Sequence, residues 1–298
     1  MFYNIKEKLE YITVCTLIYA SKVMPKSFIY KFFDISSILF YKFGKRRSRL
    51  TIKNLKLAFA KKSNDEINEL ALAAYKSIGI TIGEILMMFN GRVDIDSMIE
   101  NKEEILKKLK EWTKDSKNGV IFITAHFSNW EIMAQFLALH GFKMVIIGRE
   151  GNNKLIEKNI TTPFRENCGN MNVYKKSAMI KLVKTLKKNG YAGLLIDQKA
   201  GKNESVKVKF FGKDADTANS VAILKLKLDP IVIPIFIPRM KNGKYKIVAY
   251  EPVEYKDSSD NKEEKIVKMT QKYNDIMEDI IKKYPEQWFW MHNRWRLS

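Results

Sequence analysis

The stretch ITAHFSNWE, residues 123–131, leaves a short apolar run and sets His126 and Glu131 five positions apart, with Asn129 and Trp130 between them. If Asn129 or Ser128 caps a following helix, His126 lies in the loop before it. Glu131 then falls in the first helical turn, near enough for its carboxylate to reach the imidazole. A carboxylate that accepts one ring N–H fixes the tautomer, leaves the other nitrogen as a base and stabilises the imidazolium once formed. The same residues fit a plainer reading, a buried loop histidine satisfied by a helix-capping glutamate.

The elements around this stretch decide whether such a site can exist. GVIFITA at 119–125 is a β-branched apolar run, EIMAQFLALH reads as a helix, and KMVIIG at 143–148 as a second strand, which is the spacing of a parallel crossover unit. Further strands are expected at 171–175, 191–196, 206–212, 231–237 and 245–253, with helices through SAMIKLVKTLKKNG and SVAILKLKL and a last helix over 261–283. Upstream, residues 64–90 read as one helix capped by Ser63 or Asn64, and IDSMIENKEEILKKLKEW as another. The expected fold is α/β: a mixed, mostly parallel and buried central sheet flanked by helices, with an N-terminal helical layer. In such sheets ligands bind beyond the carboxyl ends of the strands, where ITAHFSNWE sits.

Fifty-three Lys and Arg against 33 Asp and Glu give a formal charge of +20, so the expected partners are anionic. Basic residues are spread along the chain and no RNA- or DNA-binding motif occurs, which argues against nucleic acid. Two cysteines, Cys15 and Cys168, argue against a disulfide framework and structural zinc and fit a reducing compartment. Of the three histidines, His140 in LALHGF reads as a helix C-terminus. The run YITVCTLIYAS at 11–21 is too short to span a bilayer, which takes roughly 20 apolar residues, and it lacks a signal-peptide cleavage site. It is followed by the aromatic stretch IYKFFDISSILFYKF and the basic GKRRSRLTIKNLK, a composition suited to an anionic membrane interface. An ordinary helical hairpin packed on the domain is the alternative. The boundary is expected near residue 50: a membrane-associating helical segment over 1–50 and the α/β domain over 51–298.

HFSNWE resembles the His-x4-Asp/Glu motif of glycerolipid-type acyltransferases, and more closely the His-Phe-x-Asn-Trp-Glu form of the bacterial lipid A biosynthesis late acyltransferases. Other segments resemble that family in order: RRSRLTIKNLKLAF, ITIGEILMM, IIGRE with Arg149, PFRENCG with Arg165, LLIDQKAG with Asp197 and Gln198, VKFFGKDADTANSVAILKLKLDPIVIPIFIPR, and the terminal PEQWFWMHNRWR. The chain departs at Thr217-Ala218-Asn219-Ser220, where the family usually carries a glycine.

The resemblance implies transfer of a fatty acyl group from an acyl carrier protein thioester to a hydroxyl of a phosphorylated membrane glycolipid, at the cytoplasmic face of the inner membrane. A lysophospholipid or another glycolipid is the alternative acceptor. His126 would be the general base and Glu131 its orienting group. Arg165, or else Arg149 or an amide near Asn129, would stabilise the oxyanion. Arg149 would contact a phosphate, and Asp197 and Gln198 would bind the acceptor or position the arginines. No metal and no nucleotide cofactor is expected, because neither a phosphate-binding glycine loop nor a Cys/His ligand set occurs and a thioester is already activated.

Overall fold

A computed structural model describes residues 4–148, 150–255 and 261–297, with the side chains of residues 175–177 excepted. Four helices open the chain: α1 (Ile5–Val23), α2 (Lys26–Phe43), α3 (Lys45–Ala58) and α4 (Asn64–Phe89). Ser63 starts α4 through a reciprocal capping box with Glu66, as a Ser followed three residues later by Glu dictates. α4 alone among the described helices is long and apolar enough to cross a membrane, but half of its apolar window is buried inside the protein. The burial has a local cause. Gly79 and Gly83, one turn apart, let α2 lie directly on α4; a Cβ at 79 would stand 2.8 Å from the Phe33 carbonyl oxygen and one at 83 would stand 3.1 Å from the Phe33 ring.

The expected helix over IDSMIENKEEILKKLKEW is broken into α5 (Ile95–Met98) and α6 (Lys102–Thr113). Tertiary pairing wins over the helical pattern there. Glu100 N–H donates to the Tyr245 carbonyl, Tyr245 N–H donates to that of Met98, and the Asn101 side chain both donates to and accepts from Ile247.

The rest is a sheet wrapped by helices: β1 (Val120–Thr124), α7 (Trp130–Leu139), β2 (Met144–Gly148), α8 (Lys154–Ile156), a π-helical turn, α9 (Thr162–Glu166), β3 (Met171–Tyr174), α10 (Lys175–Leu186) and β4 (Tyr191–Leu195). After these come β5 (Ser205–Phe210), β6 (Lys213–Ala218), α11 (Ser220–Leu228), β7 (Ile231–Phe236), β8 (Val248–Ala249) and α12 (Lys262–Lys283). Six strands form the central sheet in the order β3-β2-β4-β1-β7-β8, all parallel except for β8. The expected strand at 206–212 is not part of it: β5 pairs antiparallel with β6, a strand the sequence reading missed because KDADTA alternates small and charged residues without a large apolar side chain. The expected strand at 245–253 shrinks to the two residues of β8.

β1 is buried on both faces and its alternation feeds two cores. Ile121 and Ile123 meet Leu182 and Leu186 of α10, Leu224 of α11 and Tyr273 and Met277 of α12, whereas Val120 and Phe122 meet Leu106 and Leu109 of α6 and Ile132 and Phe136 of α7. The direction in which the connections run across the sheet reverses between the parallel neighbours β1 and β4. The connection from β1 leads toward β2, the connection from β4 toward β7, so a crevice opens between the carboxyl ends of these two neighbours.

Candidate active site

Two side chains reach that crevice from equivalent positions. Thr124 and Leu195 are paired in register at the ends of β1 and β4, and His126 and Asp197 each lie two residues beyond. His126 Nδ1 stands 2.9 Å from Asp197 Oδ1, and the other carboxylate oxygen accepts the Trp288 indole N–H at 2.8 Å. Asp197 is fully buried. Burial pushes its carboxyl up, but the charge of His126 and the hydrogen bonds from His126 and Trp288 outweigh that and hold it below the usual carboxylate range. His126 is about a quarter exposed, with its ring edge-on to Trp130 at 5.1 Å between centroids, and Nε2 has no protein partner among the described residues.

The loop is fixed by contacts from three directions. Ser128 takes φ 51°, a left-handed conformation costing a non-glycine residue roughly 1–2 kcal/mol. Its N–H donates to the Gln287 carbonyl at 2.7 Å and its carbonyl accepts from the Thr81 hydroxyl at 3.3 Å, while the His126 carbonyl accepts the Phe289 N–H at 3.0 Å. Asn129 caps α7 by accepting the Ile132 N–H at 3.2 Å and donates its Nδ2 to Glu84 Oε2 at 3.0 Å, so both ends of its amide are engaged.

Glu131 does not take the place expected for it. Its Oε1 accepts Arg165 Nε at 3.1 Å, Arg165 Nη2 at 2.9 Å and the Trp130 indole N–H at 3.2 Å. The carboxylate on the histidine is therefore Asp197, for which sequence position suggested the acceptor or the arginines as partners. The reason is geometric: Glu131 lies in the first turn of α7, where its carboxylate meets Arg165 of α9, while the β1–β4 pairing brings Asp197 to the ring. Arg165 is a quarter exposed; burial lowers its pKa, but Glu131 and Glu157 more than compensate and keep it fully charged. Gln198, next to Asp197, is half-buried and makes no hydrogen bond among the described residues. Arg149 lies outside the described residues.

Glu84, the glutamate of ITIGEILMM, carried no assigned role in the sequence. On α4, with no exposed surface, it accepts from Asn129, Tyr245, Arg239 and Tyr30. Its signal was present: one carboxylate inside the apolar helical run ITIGEILMM, where an unpaired charge would be prohibitively costly. Trp288 and Trp290, the largest fully buried side chains, carry the terminal segment under the His126 loop, each worth about 4–6 kcal/mol by buried area as an upper figure.

The sequence model of the bacterial lipid A biosynthesis acyltransferases matches residues 5–297. The chain belongs to that family. It is 26% identical to the lipid A biosynthesis acyltransferase of Haemophilus influenzae over 86% of this chain and 79% of that one. It is 25% identical to the lipid A biosynthesis lauroyltransferase of Escherichia coli, covering 92% of this chain and 87% of the relative. The lipid A biosynthesis palmitoleoyltransferase of the same organism is 24% identical over 85% of this chain and 80% of its own. In this lipid A acyltransferase family member, the segments that carry the resemblance, HFSNWE, LLIDQ and PEQWFWMHNRWR, meet at one place: His126 on Asp197, and Asp197 on Trp288.

Proposed function

We propose that the protein transfers a fatty acyl group from an acyl carrier protein thioester to a hydroxyl of a phosphorylated glycolipid of the lipid A precursor type. The observation that carries the reading is the His126–Asp197–Trp288 chain at the carboxyl ends of β1 and β4, with Nε2 of the histidine free of protein partners among the described residues. Asp197 holds the Nδ1–H tautomer, so Nε2 takes the proton of the attacking hydroxyl, a step worth about 10²–10⁴-fold. The alkoxide oxygen bonds to the thioester carbonyl carbon and the carbonyl oxygen becomes an oxyanion. Collapse of that intermediate breaks the C–S bond, and the imidazolium returns its proton to the departing thiolate.

In this reading Glu131 acts on Arg165 rather than on His126. Two guanidinium nitrogens, Nε and Nη2 of one edge, donate to a single Glu131 oxygen, and Nη1, with no acceptor among the described residues, is the donor offered to the oxyanion, a role worth roughly 2.7–4 kcal/mol. Asn129 and Glu84 keep the loop in place, and Gln198 contacts the acceptor. For Arg149 the case as a phosphate contact rests on sequence position alone.

The acceptor is met at the cytoplasmic face of the inner membrane. α1 and α2 turn Leu9, Tyr19, Val23, Phe28, Phe32, Phe40 and Phe43 outward, and Arg46 and Arg49 of α3 are exposed beside them. These features suit an interfacial element on anionic lipid. Arg47 is tied to the Met291 carbonyl and is a poor probe of membrane charge. Reversing Arg46 and Arg49 is expected to release the protein from anionic vesicles at moderate salt; unchanged sedimentation would contradict the placement.

The test of the activity is mass spectrometry of the purified chain incubated in micelles with acyl carrier thioester and a phosphorylated glucosamine disaccharide lipid. A mass gain of one acyl group on that lipid is expected. Transfer to a lysophospholipid alone would move the activity to the other acceptor class.

A further inference from the structure

The loop that carries Asp197 builds a second recess. After Gln198 the chain turns so that Lys199 bridges to Thr217 and the Ala200 N–H donates to the Asp216 carbonyl at 3.2 Å. Beyond this turn lies an open cleft of about 420 Å³ lined by Lys202, Ser205, Lys207, Asp216 and Arg296, within the size range of small-ligand sites.

The charges in the cleft do not cancel. Arg296 Nε donates to Asp216 Oδ2 at 2.9 Å, which uses the carboxylate, while Lys202 and Lys207 make no ion pair within 4 Å among the described residues, Lys207 feeling only the nearby charge of Asp214. Behind them Arg294, 1% exposed, donates to the Asp216 carbonyl at 2.7 Å and to the Thr217 hydroxyl, and its Nε has no partner. Burial lowers the Arg294 pKa to about 10, so it stays a cation at neutral pH and adds fixed positive potential.

Arg296 is also held in an unusual backbone. Its φ of 54° is strained for a residue with a Cβ, and such outliers persist where the surroundings impose them and cluster at functional sites. In that conformation Asp216 takes Nε, the Ala200 carbonyl takes Nη2 at 3.4 Å, and Nη1 is left without an acceptor among the described residues.

We propose that this cleft is a phosphate subsite, which holds a phosphate group carried by one of the two substrates of the reaction at His126. The proposal rests on the acyl-transfer reading. A phosphate offers several strong acceptor oxygens to one guanidinium edge, two ammonium groups and the Ser205 hydroxyl. The cleft lies on the same loop as Asp197 but shares no residue with the base, so it anchors a group that does not react. Such an anchor contributes equally to ground state and transition state and governs KM rather than kcat. Two substrates carry that chemistry: the glycolipid, through its own phosphate, and the acyl carrier, through the phosphodiester of its pantetheine arm.

The test takes the full chain in micelles with Lys202→Ala, Lys207→Ala and Arg296→Gln, singly and combined. Kinetics are measured with phosphorylated and dephosphorylated glycolipid, and with carrier thioester and a short thioester lacking the phosphodiester. The combined variant should raise KM about tenfold or more for the phosphate-bearing partner, hold kcat within about twofold, and leave KM for the phosphate-free form unchanged. A shift confined to the glycolipid assigns the phosphate to the acceptor; one confined to the carrier assigns it to the donor. Lys202→Ala alone, which removes no hydrogen bond, should show a smaller shift of the same kind. Unchanged KM, or an equal rise with and without phosphate, overturns the subsite. Acetylation of Lys202 and Lys207 read by mass spectrometry needs no turnover, and protection by the phosphate-bearing partner but not by its phosphate-free form is expected. Equal labelling overturns the subsite, whereas protection in a preparation that transfers no acyl group would remove the acyl-transfer reading and keep the phosphate site.

Discussion

Two histidines in this chain hold a carboxylate at nearly the same distance, 2.9 Å from His126 to Asp197 and 2.8 Å from His140 to Asp96. Distance therefore cannot distinguish a base from a clip; surroundings do. Asp197 is 1% exposed and gives its second oxygen to an indole N–H, so nothing mobile competes for it. Asp96 is 38% exposed and shares its charge with Lys102, at the surface where α7 ends. His126 bonds through Nδ1 and leaves Nε2 without a protein partner among the described residues, whereas His140 bonds through Nε2 and closes a helix terminus on α5. A buried carboxylate with both oxygens held by fixed partners fixes one tautomer, and a solvated one shared with a lysine gives little beyond a surface ion pair.

The largest expected effect lies on the histidines themselves. His126→Ala should lower kcat by about 10²–10⁴-fold, while His140→Ala should stay within about twofold of the parent. Comparable losses from both would erase the distinction drawn between the two pairs.

A smaller effect concerns the carboxylate that does not reach the histidine. Glu131→Gln and Arg165→Lys should each cost roughly 10–10²-fold in kcat, and the double variant should lose little more than the worse single one, because both act through one hydrogen-bonded pair. Multiplicative losses would separate Glu131 from Arg165 and return it toward His126.

The smallest effect belongs to the surface pair. The hydrogen bond from His140 and then those from Lys102 hold the Asp96 carboxyl below 3.8 in the folded chain, despite some burial that raises it. A depressed folded pKa means that the contribution is complete above the unfolded value and is lost as pH falls through the lower folded one. Asp96→Asn should therefore cost at most about 1 kcal/mol near neutral pH, and its stability should converge on the parent's as the pH falls through the depressed folded value. A gap that widens on acidification would reverse the sign.

Much of this was legible in residue types. The apolar β-branched runs marked the parallel strands, Ser63 or Asn64 marked the start of α4, and HFSNWE marked the loop of the candidate base, while the tryptophans of PEQWFWMHNRWR read as structural. Partnership was not legible, because it depends on which strands become neighbours. Glu131 is near His126 in sequence, yet Asp197 arrives from 71 positions away because β4, not β2, lies beside β1. The same long-range pairing broke the expected helix at Ile99, which bridges to Tyr245. KDADTA went unread because pairing with β5 and cover from α12, through Asn274 on Lys209 and Thr217, make it a strand rather than its own composition.

The central claim is that Asp197, and not Glu131, sets the tautomer of the base, and the kcat/KM of Asp197→Asn on thioester and glycolipid tests it most directly. An amide of the same shape can keep the Trp288 contact but favours the wrong imidazole tautomer, so a fall on the order of 10³–10⁴-fold is predicted, with the fold retained by circular dichroism. Activity near the parent's in a folded Asp197→Asn protein would contradict the account.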